Sequence, residues 1–134
     1  MSKLTEHQIQ AQMVDYCKTA RIPYFQTDVM SGLQYFSHKD PRRFAFIKHH
    51  EKMGYVKGQP DLVVIPKSGL LFVEVKTPQL YKMGKRGKPI KDRQGGKQSP
   101  EQKEFQDSVE ALGYKYYLCD NLEQFIEICE QCNT

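Results

Sequence analysis

The stretch from Gln59 to Pro78, QPDLVVIPKSGLLFVEVKTP, constrains the fold more than any other part of the chain. Two apolar runs rich in Val, Leu and Ile flank Pro66-Lys67-Ser68-Gly69, a turn signal, so the pattern predicts an antiparallel hairpin. If Lys67-Ser68 is a two-residue loop, Pro66 faces Gly69, Ile65 faces Leu70 and Asp61 faces Glu74. Opposed residues share a face, with Cβ atoms about 4.5–5.5 Å apart. Lys76, two residues beyond Glu74, lies on that same face. One end of the hairpin is therefore expected to gather two carboxylates and an amine. A bulge or a longer loop would shift this pairing by one residue.

Two carboxylates placed opposite each other repel. A shared proton, neutralisation by Lys76 or a divalent cation would each offset the repulsion. Mg²⁺ takes one or two protein carboxylates and otherwise keeps waters and phosphate oxygens. Such an ion beside an amine suits attack of water on a phosphodiester. The competing reading is an ordinary Glu-Lys pair at a strand end, with Asp61 merely preceding a strand.

The flanking elements can be read from caps and periodicity. Thr5-x-x-Gln8 is a capping box that opens a helix carrying Ile9, Met13, Tyr16 and Cys17, running to about Ala20 before Pro23. "YFQTDV", Tyr24 to Val29, reads as a strand, and "FAFIKHHEKMG" as a short helix stopped by Gly54. Met30 to Lys57 otherwise carries no assignable motif. Ser99-Pro100-Glu101-Gln102 opens another helix, with Phe105, Val109 and Leu112 as its core stripe and Gly113 as its stop. "YKYYLC" is a strand, and Asn121 caps a last helix carrying Leu122, Phe125, Ile126 and Cys129. The order predicts an α/β fold, a mixed sheet flanked by helices. Glu6 precedes Ile9 and Met13 on the stripe expected to face the sheet, and Gln102 precedes Phe105 and Val109. Each has a plain structural role as well: Glu6 complements a helix dipole, and Gln102 completes a capping box.

Charge adds to the picture through its distribution. The 134 residues, read as one domain, carry 20 Lys and Arg against 16 Asp and Glu, a net charge of +4. Between Pro78 and Gln98 lie Lys82, Lys85, Arg86, Lys88, Lys91, Arg93 and Lys97, with Asp92 as the only acid. Interspersed glycines suggest a flexible basic loop over about 78–98, suited to tracking phosphates, or else simply solvated. Cys17, Cys119, Cys129 and Cys132 show no disulfide spacing, and Cys129-x-x-Cys132 lacks the second pair a structural zinc site needs. No window is long and apolar enough for a membrane span, and "MSKLTEHQIQ" lacks a leader-like apolar segment, so an intracellular, cytoplasmic protein with no membrane partner is expected.

Taken together, Glu6, Gly58-Gln59-Pro60-Asp61-Leu62, Glu74-Val75-Lys76 and Ser99-Pro100-Glu101-Gln102 resemble the PD-(D/E)xK nuclease superfamily, and within it the VRR-NUC group. The resemblance covers nearly the whole chain in order and spacing. It implies a restriction-endonuclease-like αβββαβ core and a DNA endonuclease dependent on Mg²⁺ or Mn²⁺. By carry-over, Asp61 and Glu74 would ligate metal with the Val75 carbonyl, and Lys76 would orient the attacking water. Glu6 would help hold metal or water, and Gln102 would support the site through Lys76 or substrate. The resemblance further implies selectivity for branched or four-way junction DNA, a homodimer, and a phage or viral protein acting in a host cytoplasm. Met30 to Lys57, with His38, His49, His50, Tyr35, Phe36, Phe44 and Phe46, has no counterpart in the motif and stands as DNA contact, core or dimer face. Two other classes compete: a non-catalytic nucleic-acid-binding module on the same fold, and a small structural protein stabilised by zinc.

Overall fold

The computed structural model describes residues 3–133 and builds the predicted hairpin in the register that a two-residue loop requires. Strand β2, Leu62–Val64, pairs antiparallel with β3, Leu71–Val75, with Leu62 opposite Val73 and Val64 opposite Leu71. The turn is closed by the Gly69 N–H donating to the Pro66 carbonyl at 3.1 Å, with Gly69 at φ 121°. Strand β1, Tyr24–Gln26, adds antiparallel to the outer edge of β2. Strand β6, Lys115–Cys119, adds parallel to β3, giving the mixed order β1-β2-β3-β6.

Side-chain alternation divides this sheet into two faces. Leu62, Val64, Leu71, Val73, Val75 and Cys119 form one apolar face, buried under two helices. Helix α1, Glu6–Ala20, buries Ile9, Met13 and Cys17, spaced four residues apart along one stripe. Helix α4, Leu122–Cys132, buries Phe125, Ile128, Cys129 and Cys132. Each large aliphatic or aromatic side chain taken fully out of water here contributes about 1.5–3 kcal/mol, so this face holds the core. The opposite face is lined by Phe72, Glu74 and Tyr116. Helix α3, Pro100–Ala111, covers part of it, and Phe72 meets Phe105 and Tyr114 edge-on at centroid distances of 6.2 and 6.1 Å.

The caps form as read. Thr5 Oγ1 accepts the Gln8 N–H and Gln8 Oε1 accepts the Thr5 N–H, at 3.2 and 2.8 Å. Ser99 and Gln102 repeat this reciprocal pair at the start of α3, and Asn121 Oδ1 accepts the Gln124 N–H at the start of α4.

Several expectations are corrected. The basic stretch over 78–98 is not an irregular loop: β4, Leu80–Met83, and β5, Pro89–Arg93, form an antiparallel hairpin around a 3₁₀ turn at Lys85–Gly87. Backbone pairing needs no buried side chains, so composition alone concealed it. The motif-free region holds a 3₁₀ segment, Met30–Tyr35, and helix α2, Pro41–Lys52, capped by Asp40. The strand read over "YFQTDV" stops at Gln26. Leu112 is 76% exposed rather than part of the α3 stripe, because the helix ends at Ala111 and turns away. On α4, Ile128 and not Ile126 joins the core. Glu6 does not lie on the buried stripe; it is exposed in the first turn of α1. All four cysteines are buried free thiols. No helix among the described residues is long and apolar enough to cross a membrane.

Candidate active site

Asp61 sits just before β2, and its backbone is clamped from both sides. Its N–H donates to the Val73 carbonyl and its carbonyl accepts the Thr27 N–H, both at 3.1 Å. The preceding loop is fixed to the end of β1: Gln59 Nε2 donates to the Thr27 carbonyl at 2.6 Å, and the Thr27 hydroxyl donates to the Pro60 carbonyl. Gly58, at φ 94°, packs onto the start of α3, where a Cβ would lie 2.4 Å from the Glu101 carbonyl and 2.8 Å from the Gln102 nitrogen. Only glycine meets both demands. The Asp61 side chain then turns toward β3, and Oδ2 accepts the Val75 N–H at 2.8 Å.

Glu74, on β3, is fully buried. Its Oε1 accepts from the Tyr116 hydroxyl and, at 3.4 Å, from Gln98 Nε2. Gln98 Nε2 also donates to Gln106 Oε1 at 2.9 Å. Glu74 Oε2 has no hydrogen-bond partner. Lys76 Nζ approaches it to 3.4 Å as an ion pair, without hydrogen-bond geometry. The hydrogen bond of that amine goes instead to Gln102 Oε1, at 3.0 Å.

Asp61, Glu74, Lys76 and Gln102 are thus brought together as a single cluster, with Val75 supplying the N–H that orients Asp61. Glu6 stands at its rim, close enough for its charge to act on Asp61. Burial, more than any other cause, raises the Asp61 carboxyl above its usual range. The charges of Glu6 and Glu74 push the same way, while the Val75 N–H and Lys76 oppose them. Tyr116 is held well above the usual phenol range by burial and by its bond to the Glu74 carboxylate, so it stays a hydrogen-bond donor. Tyr116, Gln98 and Gln106 were not expected at the site. The sequence showed Tyr116 only as a strand residue. What puts it on the Glu74 face is the parallel pairing of Phe72 with Tyr116 and Glu74 with Leu118, a long-range register.

The basic residues follow directly after Lys76. Lys82 is on β4, Lys91 and Arg93 are on β5, and Lys85, Arg86 and Lys88 are at or beside the turn. Lys97 lines an open cleft together with Lys76, Thr77, Gly95, Gly96 and Asp120. Asp92 is held by Lys3 at 3.4 Å and lies 3.9 Å from Lys82, so Lys82 is the partly neutralised member.

A divalent cation fits the cluster on one observation: a buried carboxylate oxygen, Glu74 Oε2, lacks the hydrogen bond that burial normally demands. Asp61, whose Oδ2 accepts the Val75 N–H, could supply a second oxygen ligand. Hard oxygen donors in this number suit Mg²⁺ or Mn²⁺ rather than zinc. No group of three or more His, Cys, Asp or Glu side chains gathers as a metal site among the described residues. His50 packs on Phe46, with ring centroids 4.3 Å apart, and His49 lies against His50. No protein-family model, curated protein or solved structure matches the chain.

Proposed function

We propose that the chain is a divalent-metal-dependent DNA endonuclease. The observation that carries this reading is the buried, incompletely bonded Glu74 carboxylate beside Asp61, with the Lys76 amine held at the same point. Leaving a buried carboxylate oxygen unpaired costs more than a typical surface mismatch, and a cation held by Asp61, Glu74 and the Val75 carbonyl would offset it. Mg²⁺ or Mn²⁺ there would supply Lewis-acid polarisation of the scissile phosphodiester.

The protein groups take the remaining roles. Lys76 orients the attacking water and stabilises charge that develops on the phosphate. Gln102 fixes the Lys76 amine, and Tyr116 and Gln98 fix Glu74 Oε1. Glu6, exposed at the rim, serves water or metal from the outer side. The basic β4–β5 hairpin holds the nucleic-acid backbone through Lys82, Lys85, Arg86, Lys88, Lys91 and Arg93, with Lys97 in the cleft. The order α1-β1-β2-β3-α3-β6 supports a restriction-endonuclease-like core. The finer parts of the proposal are branched or four-way junction DNA as substrate, a homodimer, and action in a host cytoplasm. These rest on the VRR-NUC resemblance.

The alternative is a non-catalytic nucleic-acid-binding module. The Glu74–Lys76 ion pair favours it, because that pair already neutralises one carboxylate without metal. A cleavage assay on four-way junction, flap, linear duplex and single-stranded DNA separates the two. It is run with Mg²⁺, Mn²⁺ and EDTA, beside Lys76→Ala. Metal-dependent cutting lost in the variant establishes the nuclease. Binding in EDTA with no cutting on any substrate establishes the module.

A further inference from the structure

Both insertions of this fold leave the sheet at the same end. Gln26, the last residue of β1, pairs with Leu62, the first of β2, so the segment 27–61 departs and returns there. Leu62 pairs with Val73, so β3 also ends there, and the β4–β5 hairpin departs just past Lys76. Asp61, Glu74 and Lys76 lie between the two departures. One insertion is the basic hairpin. The other carries α2.

Helix α2 has no buried residue. Its inner side rests on the 3₁₀ segment: Phe46 packs against Phe36 at 5.7 Å, and Arg43 Nη1 donates to the Leu33 carbonyl at 3.1 Å. Its outer side carries Phe44, Lys48 and Lys52, four residues apart and all exposed. Lys48 Nζ sits 5.3 Å from the Phe44 ring centroid, and among the described residues neither lysine is in an ion pair. Glu51 is the only acid on the helix. The arm is not loosely hung. Five residues beyond α2, Lys57 pairs with Glu101 at 3.3 Å, and Gly58 packs on the Glu101–Gln102 backbone. The base of the arm is therefore fixed to the helix that positions Lys76.

Lys48 and Lys52 thus form an exposed basic stripe on a helix that packs only through its inner side, and such a stripe suits an anionic partner. We infer that α2 is a second phosphate-binding arm, on the other insertion that leaves this end of the sheet, with Lys48 and Lys52 contacting the backbone of the nucleic acid whose scissile phosphate lies at Asp61, Glu74 and Lys76. The inference rests on the nuclease reading and adds a second surface that would grip the substrate.

The test measures binding of a labelled DNA duplex in EDTA, by fluorescence anisotropy, across about 50–200 mM salt. Wild type is compared with Lys48→Ala/Lys52→Ala. Alanine is the better helix former, so α2 stays folded in the variant. Far-UV circular dichroism and the thermal midpoint check this. Loss of two phosphate contacts lowers the slope of log K against log salt by about 1.8 and weakens binding at every sequence tested. An unchanged slope and affinity, with wild-type binding intact, overturns the inference while leaving the nuclease reading standing. No salt-dependent binding by wild type overturns both. If the substitutions leave binding per protomer unchanged but turn a dimer into a monomer in sedimentation, the face is a subunit contact and the inference fails.

Discussion

Lys76 Nζ and the Ser99 N–H share one acceptor, Gln102 Oε1, at 3.0 and 2.8 Å. A helix cap and the site amine thus hang on the same side-chain oxygen. Gln102→Ala is expected to lower stability by about 1 kcal/mol, the usual value of a lost cap. It should also lower metal-dependent cleavage up to about 100-fold, because Lys76 loses the hydrogen bond that directs its amine. Gln102→Glu restores an acceptor and should recover most of the stability. Urea unfolding and single-turnover cleavage of all three proteins read the two effects separately.

Glu74→Gln keeps the shape of the side chain and removes its charge. Without metal the variant is expected to melt lower than wild type, since Lys76 loses the carboxylate of its buried ion pair. The response to metal should differ sharply. Mg²⁺ or Mn²⁺ at about 100 times its dissociation constant should stabilise wild type by about 2.7 kcal/mol, and the variant far less. Thermal melts in EDTA and in each metal check this without reference to activity. Equal stabilisation of both proteins would remove Glu74 from the ligand set.

The raised Asp61 carboxyl makes metal-free stability depend on pH, with a definite sign. Its ordinary value is 3.8, and burial lifts it in the folded protein. The folded state therefore holds the proton more tightly than the unfolded state. The resulting stabilisation is complete below about pH 3.8, the unfolded value, and is lost as pH rises through the folded value. Asp61→Asn does not titrate. Its melting temperature in EDTA, relative to wild type, should climb across that window and then level off. A difference that is flat from pH 3 to 7 would contradict the raised value.

Gly58 and Gly54 provide a matched pair for separating conformational strain from close approach. Both have positive φ, at 94° and 113°. A Cβ at Gly54 meets nothing within 4 Å, whereas one at Gly58 collides with the backbone of Glu101 and Gln102. Gly54→Ala should cost about 1 kcal/mol. Gly58→Ala should cost about 2 kcal/mol or more and also reduce cleavage, since relief of the clash moves the start of α3. Chemical denaturation of the two variants gives the comparison.

What the sequence made legible was local. The Asp61–Glu74 juxtaposition followed from a short turn and a period of two, and both helix starts followed from capping boxes whose partners are three residues apart. The link between Lys76 and Gln102 could be named only through a resemblance, because it spans 26 positions. Tyr116 was invisible as a site residue because its place depends on the parallel crossover between β3 and β6. The β4–β5 hairpin was masked by its charge: it lacks a buried apolar face, and Tyr81, Met83 and Ile90 stay exposed. Helix α2 was partly visible, but its lack of a buried stripe left its extent unreadable. Glu6 was misplaced because its spacing from Ile9 fits the buried stripe only until the first turn, where the helix end opens to solvent.

The four free thiols carry a consequence of their own. Cys17, Cys119, Cys129 and Cys132 all lie under α1 and α4, on the sheet face away from Glu74. Burial pushes the first three up to about 11, about 12 and about 12, so almost none of each is thiolate at neutral pH. Alkylating reagents, which attack the thiolate, are slowed both by steric exclusion and by chemistry. The chain thereby contains a native clock for the seating of α4 on the sheet. Its labelling rate reports opening of the core, and any ligand that binds the folded carboxylate cluster should slow it in proportion to the stability it adds, so the scaffold and the occupancy of the site can be followed in the same unmodified molecule.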